Sequence, residues 1–169
     1  RVKEVLEGLV EDLREFRSEV SEDYVKSEEF EELLEHTLHR VAAERNEEKR
    51  LIYRDFLVGI IKSPGEPYDE QLRFLRTLED MGPDHIEVLR ALVQKPDPDP
   101  GMTGSRRGTL SKRLAEIAPE RIEELVSQLN DMRVTNLTSL RTMMTAQGAE
   151  NLGHAITPFG RRFLHFIRE

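Results

Sequence analysis

Cysteine is absent from this sequence, and its absence removes disulfide frameworks, thiolate zinc sites and cysteine nucleophiles together. It also fits a reducing compartment, so a cytoplasmic location is expected. Tryptophan is missing too, and aromatic residues make up only 6% of the chain, so the core must be aliphatic. The longest apolar run, Phe56 to Ile61, is broken by Gly59 and is too short to span a membrane. No charged-then-apolar leader is present, and the chain opens on Arg1 rather than Met, as a fragment of a longer protein would. Catalytic motifs are lacking as well. There is no Gly-x-Ser-x-Gly elbow and no His-Glu-x-x-His pair, and Gly101-Met102-Thr103-Gly104-Ser105 lacks the Lys-Ser/Thr that follows a phosphate-binding loop. His85, His154 and His165 stand alone in the sequence. Neither an enzyme nor a cofactor is expected.

What remains is a chain of 169 residues in which charged residues (34%) nearly equal apolar ones (37%), the balance of solvated amphipathic helices. The net charge of -8 is unevenly spread. Residues 1–95 carry 15 Lys/Arg against 24 Asp/Glu, while residues 96–169 carry 10 against 9. The first part should repel nucleic acid, so any phosphate contact belongs to the second.

Val2, Leu6, Leu9, Leu13, Phe16 and Val20 alternate spacings of four and three, as in a coiled-coil seam. Leu6, Leu9, Leu13 and Phe16 are therefore candidate oligomerisation residues. Val5 and Val10 widen the stripe, which suits a helix packed on its own domain equally well. Ser27 is placed to cap a second helix bearing Phe30, Leu33, Leu34, Leu38, Val41 and Ala42 on one face. Asn46 should cap a third that ends at Ser63-Pro64-Gly65. Asp69 opens a fourth, closed at Gly82, and Pro83 begins a fifth with Ile86, Leu89, Leu92 and Val93. Residues 96–108, starting Pro96-Asp97-Pro98-Asp99-Pro100-Gly101, read as a loop. These patterns divide the chain into an acidic helical domain, 1–82, and a second domain, 83–169.

After the loop, Thr109 can cap a short helix with Leu110, Leu114 and Ile117 inward. Pro119 starts another with Ile122, Leu125, Val126 and Leu129 inward. Gly148 and Gly153 bracket a polar stretch between 140–145 and 154–157, where a two-stranded hairpin fits, and Pro158 begins a last helix with Phe159, Phe163, Leu164 and Ile167. This order, with the junction Ala155-Ile156-Thr157-Pro158-Phe159-Gly160-Arg161, resembles the winged helix-turn-helix superfamily over about residues 83–169. The resemblance implies a helix-turn-helix with a small two-stranded β wing; together with the helical N-terminal bundle read from the periodicities above, a mainly α fold is expected. The resemblance does not imply one function, because the superfamily includes modules that bind only protein.

In winged-helix regulators the second helix of the pair enters the major groove. At about 100° per residue, its outward face here holds Glu120, Glu124, Ser127 and Asp131. Acids there oppose phosphate binding. A double-stranded DNA reading would place Arg106, Arg107, Lys112 and Arg113 on phosphates, Arg121 and Gln128 on bases, and Gln147 and Asn151 in an adjacent groove. The cluster Glu32, Glu35, His36 and His39 shares a helical surface with metal-ligand spacing, but no matching set occurs on another helix, so a solvated face is expected. The sequence is therefore read as a non-catalytic interaction or scaffolding protein that binds a protein partner or itself. The alternative is a DNA-binding transcriptional regulator.

Overall fold

A computed structural model describes residues 1–16 and 20–167. The protein is mainly helical with one small antiparallel two-stranded sheet. In chain order the elements are α1 (Val2–Glu15), α2 (Glu22–Val25), α3 (Glu28–Ala43), α4 (Glu47–Lys62), α5 (Tyr68–Asp80) and α6 (Pro83–Val93). They are followed by β1 (Thr103–Gly104), α7 (Arg106–Arg113), α8 (Pro119–Asp131), β2 (Met144–Thr145), α9 (Ala146–Glu150) and α10 (Pro158–Ile167). Among the described residues, no helix is long and apolar enough to cross a membrane. The chain forms two compact units: Arg1–Gly82 together with Phe163–Glu169, and Pro83–Arg162. The last helix thus begins in one unit and ends in the other.

In the first unit the helix starts follow local chemistry. The Ser27 hydroxyl accepts from Phe30 N at 3.2 Å, and Asn46 Oδ1 accepts from Lys49 N at 2.9 Å, each satisfying an N–H that the helix cannot. The short α2, which has no apolar period of its own, is capped by Ser21. Leu9, Phe30, Leu57 and Ile61 form a buried cluster, with Leu13, Val20, Tyr24, Val25, Leu34 and Val58 packed around it. Phe74 of α5 meets Phe163 and Phe166, with ring centroids 6.2 and 5.2 Å away. One buried polar residue organises the helix ends. Gln71 accepts from the Tyr24 hydroxyl at 2.6 Å and donates to the Glu66 carbonyl at 3.0 Å.

Helix α1 lies along α4 in the same direction, with Glu4 beside Arg50 at 4.0 Å and Asp12 beside Arg54 at 3.2 Å. Its seam turns toward its own unit. Leu9 is buried, Leu6 and Leu13 are half-buried, and the Phe16 ring lies 3.2 Å from Lys62 Nζ. Leu9 is therefore unavailable to a partner helix. Leu9→Ala is expected to cost about 2–5 kcal/mol in chemical denaturation, the range for emptying a buried leucine site. A coiled-coil residue would instead reduce the mass in solution without that loss.

In the second unit α6, α7 and α8 pack on one another. Several boundaries differ from the sequence expectation. Helix α7 is capped by Ser105, whose hydroxyl accepts from Gly108 N at 3.1 Å, so it starts before Thr109 and inside the expected loop. Helix α5 starts at Tyr68 after Pro67 and ends at Asp80, with Met81 at the C-cap position assigned to Gly82. The expected hairpin between 140–145 and 154–157 is not formed. Met144 pairs with Gly104 and Thr145 with Thr103, while Thr135 bridges Ile156. Thr145 is diverted because its hydroxyl caps α9 through Gly148 N at 3.2 Å, which ends the strand.

Candidate interaction surface of the second unit

The surface is built on α8, whose inward face of Ile122, Leu125, Val126 and Leu129 is fully buried and fixes the opposite face outward. Glu120, Glu124, Ser127 and Asp131 are all exposed there. Pro119 at the first helical position sets the start. The end is held by Asn130, which donates to the Leu137 carbonyl at 2.9 Å. Its Oδ1 accepts from the Thr135 hydroxyl at 2.7 Å and from Leu137 N at 3.0 Å. Arg133 takes a left-handed φ of 60° at this corner.

Arg106, Arg107, Arg121 and Arg141 are each engaged by groups of the chain itself. Arg107 pairs with Glu120 at 2.9 Å and also with Glu123. Arg141 grips Glu123 in two-point fashion, Nε to Oε1 at 3.0 Å and Nη2 to Oε2 at 2.8 Å. The Arg141 hydrogen bonds lead in holding the Glu123 carboxyl below its ordinary range; partial burial opposes them, and Arg107 adds to them. Arg121 reaches Glu124 at 3.1 Å and Asp84 at 3.9 Å. Arg106 donates to the Thr138 carbonyl at 2.7 Å. The outward face of α8 is thus an acidic strip edged by arginines that already face carboxylates.

Arg113 serves a different end. Its side chain is 9% exposed and Glu150, its partner at 2.7 Å, is 8% exposed. The same guanidinium donates to the Ala91 carbonyl at 2.7 Å. Glu150 also accepts from the Thr109 hydroxyl at 3.1 Å and from Asp97 N at 3.2 Å. Arg113 therefore ties α6, α7 and α9 together and offers no free donor fork to a phosphate. Gln128 Oε1 lies 2.7 Å from Nε2 of the buried His85. Lys112, Gln147 and Asn151 are exposed, and among the described residues no side-chain partner holds them.

Glu150 escaped the sequence reading, although it stands as the one Asp, Glu, Lys or Arg between Arg141 and Arg161. A lone charge in such a stretch is a signal for a buried, paired group. In the first unit, Glu32 and His36 lie 3.7 Å apart and Glu35 and His39 also 3.7 Å, as two separate exposed pairs. Among the described residues, no group of three or more His, Asp or Glu side chains is placed to hold a metal ion.

Comparison with known protein families, with characterised proteins and with solved structures finds no match.

Proposed function

We propose that this is a non-catalytic interaction protein whose second unit, continued by α10, is a winged helix-turn-helix module engaging a protein rather than duplex DNA. The order α6, α7, α8, the Thr135 to Ile156 bridge and α10 supports the winged-helix reading, with α7 and α8 as the helix pair. The acidic outward face of α8 carries the functional reading. DNA affinity comes largely from neutralising phosphates. Here the helix that would enter the groove presents Glu120, Glu124 and Asp131, and Arg107, Arg121 and Arg141 are engaged by acids of the same helix. A protein presenting Lys or Arg suits that strip electrostatically.

Fluorescence anisotropy with a random duplex at low salt tests the proposal. The expected result is no salt-sensitive binding. Duplex binding that falls steeply as salt rises, and is lost on changing Arg106, Arg107 and Lys112 together to Ala, would replace this reading with that of a DNA-binding regulator.

A further inference from the structure

We infer that the shallow groove between α1 and α3 in the first unit receives a basic, amphipathic helix of another protein. This inference is independent of the reading of the second unit. The groove has a volume of about 450 Å³ and is lined by Val2, Glu31, Leu34, Glu35, Leu38, His39 and Ala42.

The floor is apolar and incompletely covered. On α3, the buried positions Phe30, Leu33, Thr37 and Val41 face the interior, and Leu34 and Leu38 stand half-buried on the adjoining flank, with Ala42 exposed beyond them. On α1 the same progression occurs. Val5 and Leu9 are buried, Val2, Leu6 and Leu13 are half-buried, and Val10 is 46% exposed. At about 100° per residue these α1 residues form a continuous stripe that turns from the core toward solvent. Asp12 and Glu4, which meet Arg54 and Arg50 of α4, mark the opposite flank, so the stripe opens toward α3. The α3 row Leu34, Leu38 and Ala42, with Val2 of α1 set against it, is the kind of surface on which a partner helix lays its apolar face.

The margins decide which helix. Glu31 and Glu35 line the α3 side, and both are exposed. The α1 side is mixed: Lys3 is held by Glu7 at 3.6 Å, and Arg14 lies in the last turn. At one end Arg1 donates to the Ala42 carbonyl at 3.4 Å. Residues 1–82 together hold 13 Lys/Arg against 22 Asp/Glu, so a second copy of this chain would bring acid toward acid. A helix with Leu-type anchors every three or four residues and Lys or Arg beside them would cover the stripe and meet the α3 glutamates.

The test uses a fluorescein-labelled synthetic helix of Leu and Lys in amphipathic order, and a control helix with the same Leu positions and Glu replacing Lys. Binding is followed by anisotropy against the whole chain. The Lys helix is expected to bind and the Glu helix to fail. Ala42→Arg, at an exposed position that leaves the core untouched, should weaken binding by about tenfold or more, a loss of about 1.4 kcal/mol per tenfold. Leu38→Asp should do the same, and the pair Glu31→Lys, Glu35→Lys should weaken binding and flatten its salt dependence. Far-ultraviolet circular dichroism checks that each variant keeps its helices. Equal binding to the parent and to Ala42→Arg would overturn the inference, since attraction to the acidic unit as a whole would then explain it. So would failure of the Lys helix to bind, or a concentration-dependent rise in mass that Ala42→Arg abolishes, which would assign the groove to a second copy.

Discussion

Glu150→Ala should lower the stability of the second unit by about 3–5 kcal/mol, the usual consequence of leaving one member of a buried ion pair without the other. The side chains of Arg113 and Glu150 are 9% and 8% exposed, so neither can recover its loss from water. Removing the carboxylate also strips acceptors from Asp97 N and the Thr109 hydroxyl. The effect depends on pH. Burial by itself would raise the Glu150 pKa, but the hydrogen bonds from Asp97 N, Arg113 and Thr109 outweigh it and hold the carboxyl below its ordinary range. A carboxyl lowered in the folded state contributes stability that is present above the unfolded value, about 4.3. That contribution is lost as pH falls through the lower, folded value. Urea denaturation of the parent and Glu150→Gln should therefore show a wide gap at neutral pH that narrows as the medium is acidified below the ordinary carboxyl range. A gap independent of pH would mean that Glu150 acts through packing rather than charge.

Gly160→Ala is expected to destabilise by about 2–3 kcal/mol or more, at the upper end for an overpacked site. A β-carbon there would overlap the Val134 carbonyl and come 2.9 Å from Ile156 Cγ2. The first obstacle is backbone, which cannot rotate aside. The close approach is fixed by Thr157, whose N donates to the Val134 carbonyl at 3.0 Å and whose hydroxyl donates to the Arg133 carbonyl at 2.7 Å. The same hydroxyl accepts from Gly160 N at 3.0 Å, so the start of α10 is clamped against the Val134 chain. Gly65→Ala supplies the control, because nothing lies within 4 Å of a β-carbon at Gly65. It should change stability by no more than about 0.5 kcal/mol. Thermal melts of the two variants should differ accordingly, and a melt of Gly160→Ala matching the parent would exclude the steric account.

Much of the helical plan was legible because local chemistry dictates it. Ser27, Asn46 and Ser63, and the prolines at 119 and 158, stand at or beside the helix ends they announce. The inward residues of α8 also follow directly from their period. The expectation failed where a partner lies far away in the chain. Nothing near Met144 reveals that it will pair with Gly104, and the short α9 has no apolar repeat to betray it. Helix α7 starts ahead of its apolar periodicity, which begins only at Leu110, because the cap at Ser105 is a polar event upstream of it. For the candidate surface, the acidic face of α8 could be read from residue spacing alone. Which arginines were already engaged could not, since Arg107 and Arg113 belong to one short helix yet have opposite fates. One faces the acids of α8, and the other is sunk against Glu150. A helical projection locates charge but not its partner.

The division of α10 between the two units bears on the order in which the protein is made. Phe163 and Phe166 complete the aromatic packing around Phe74, yet they are translated after the whole of the second unit. On the ribosome, residues 1–82 precede residues 83–162, so the Phe74 side of their core stays uncovered until Phe163 and Phe166 follow. Of the two units, the one whose helices are translated earlier is therefore the one that completes its core later. Its closure joins segments separated by the entire intervening unit, an entropic cost that grows only slowly with the length spanned.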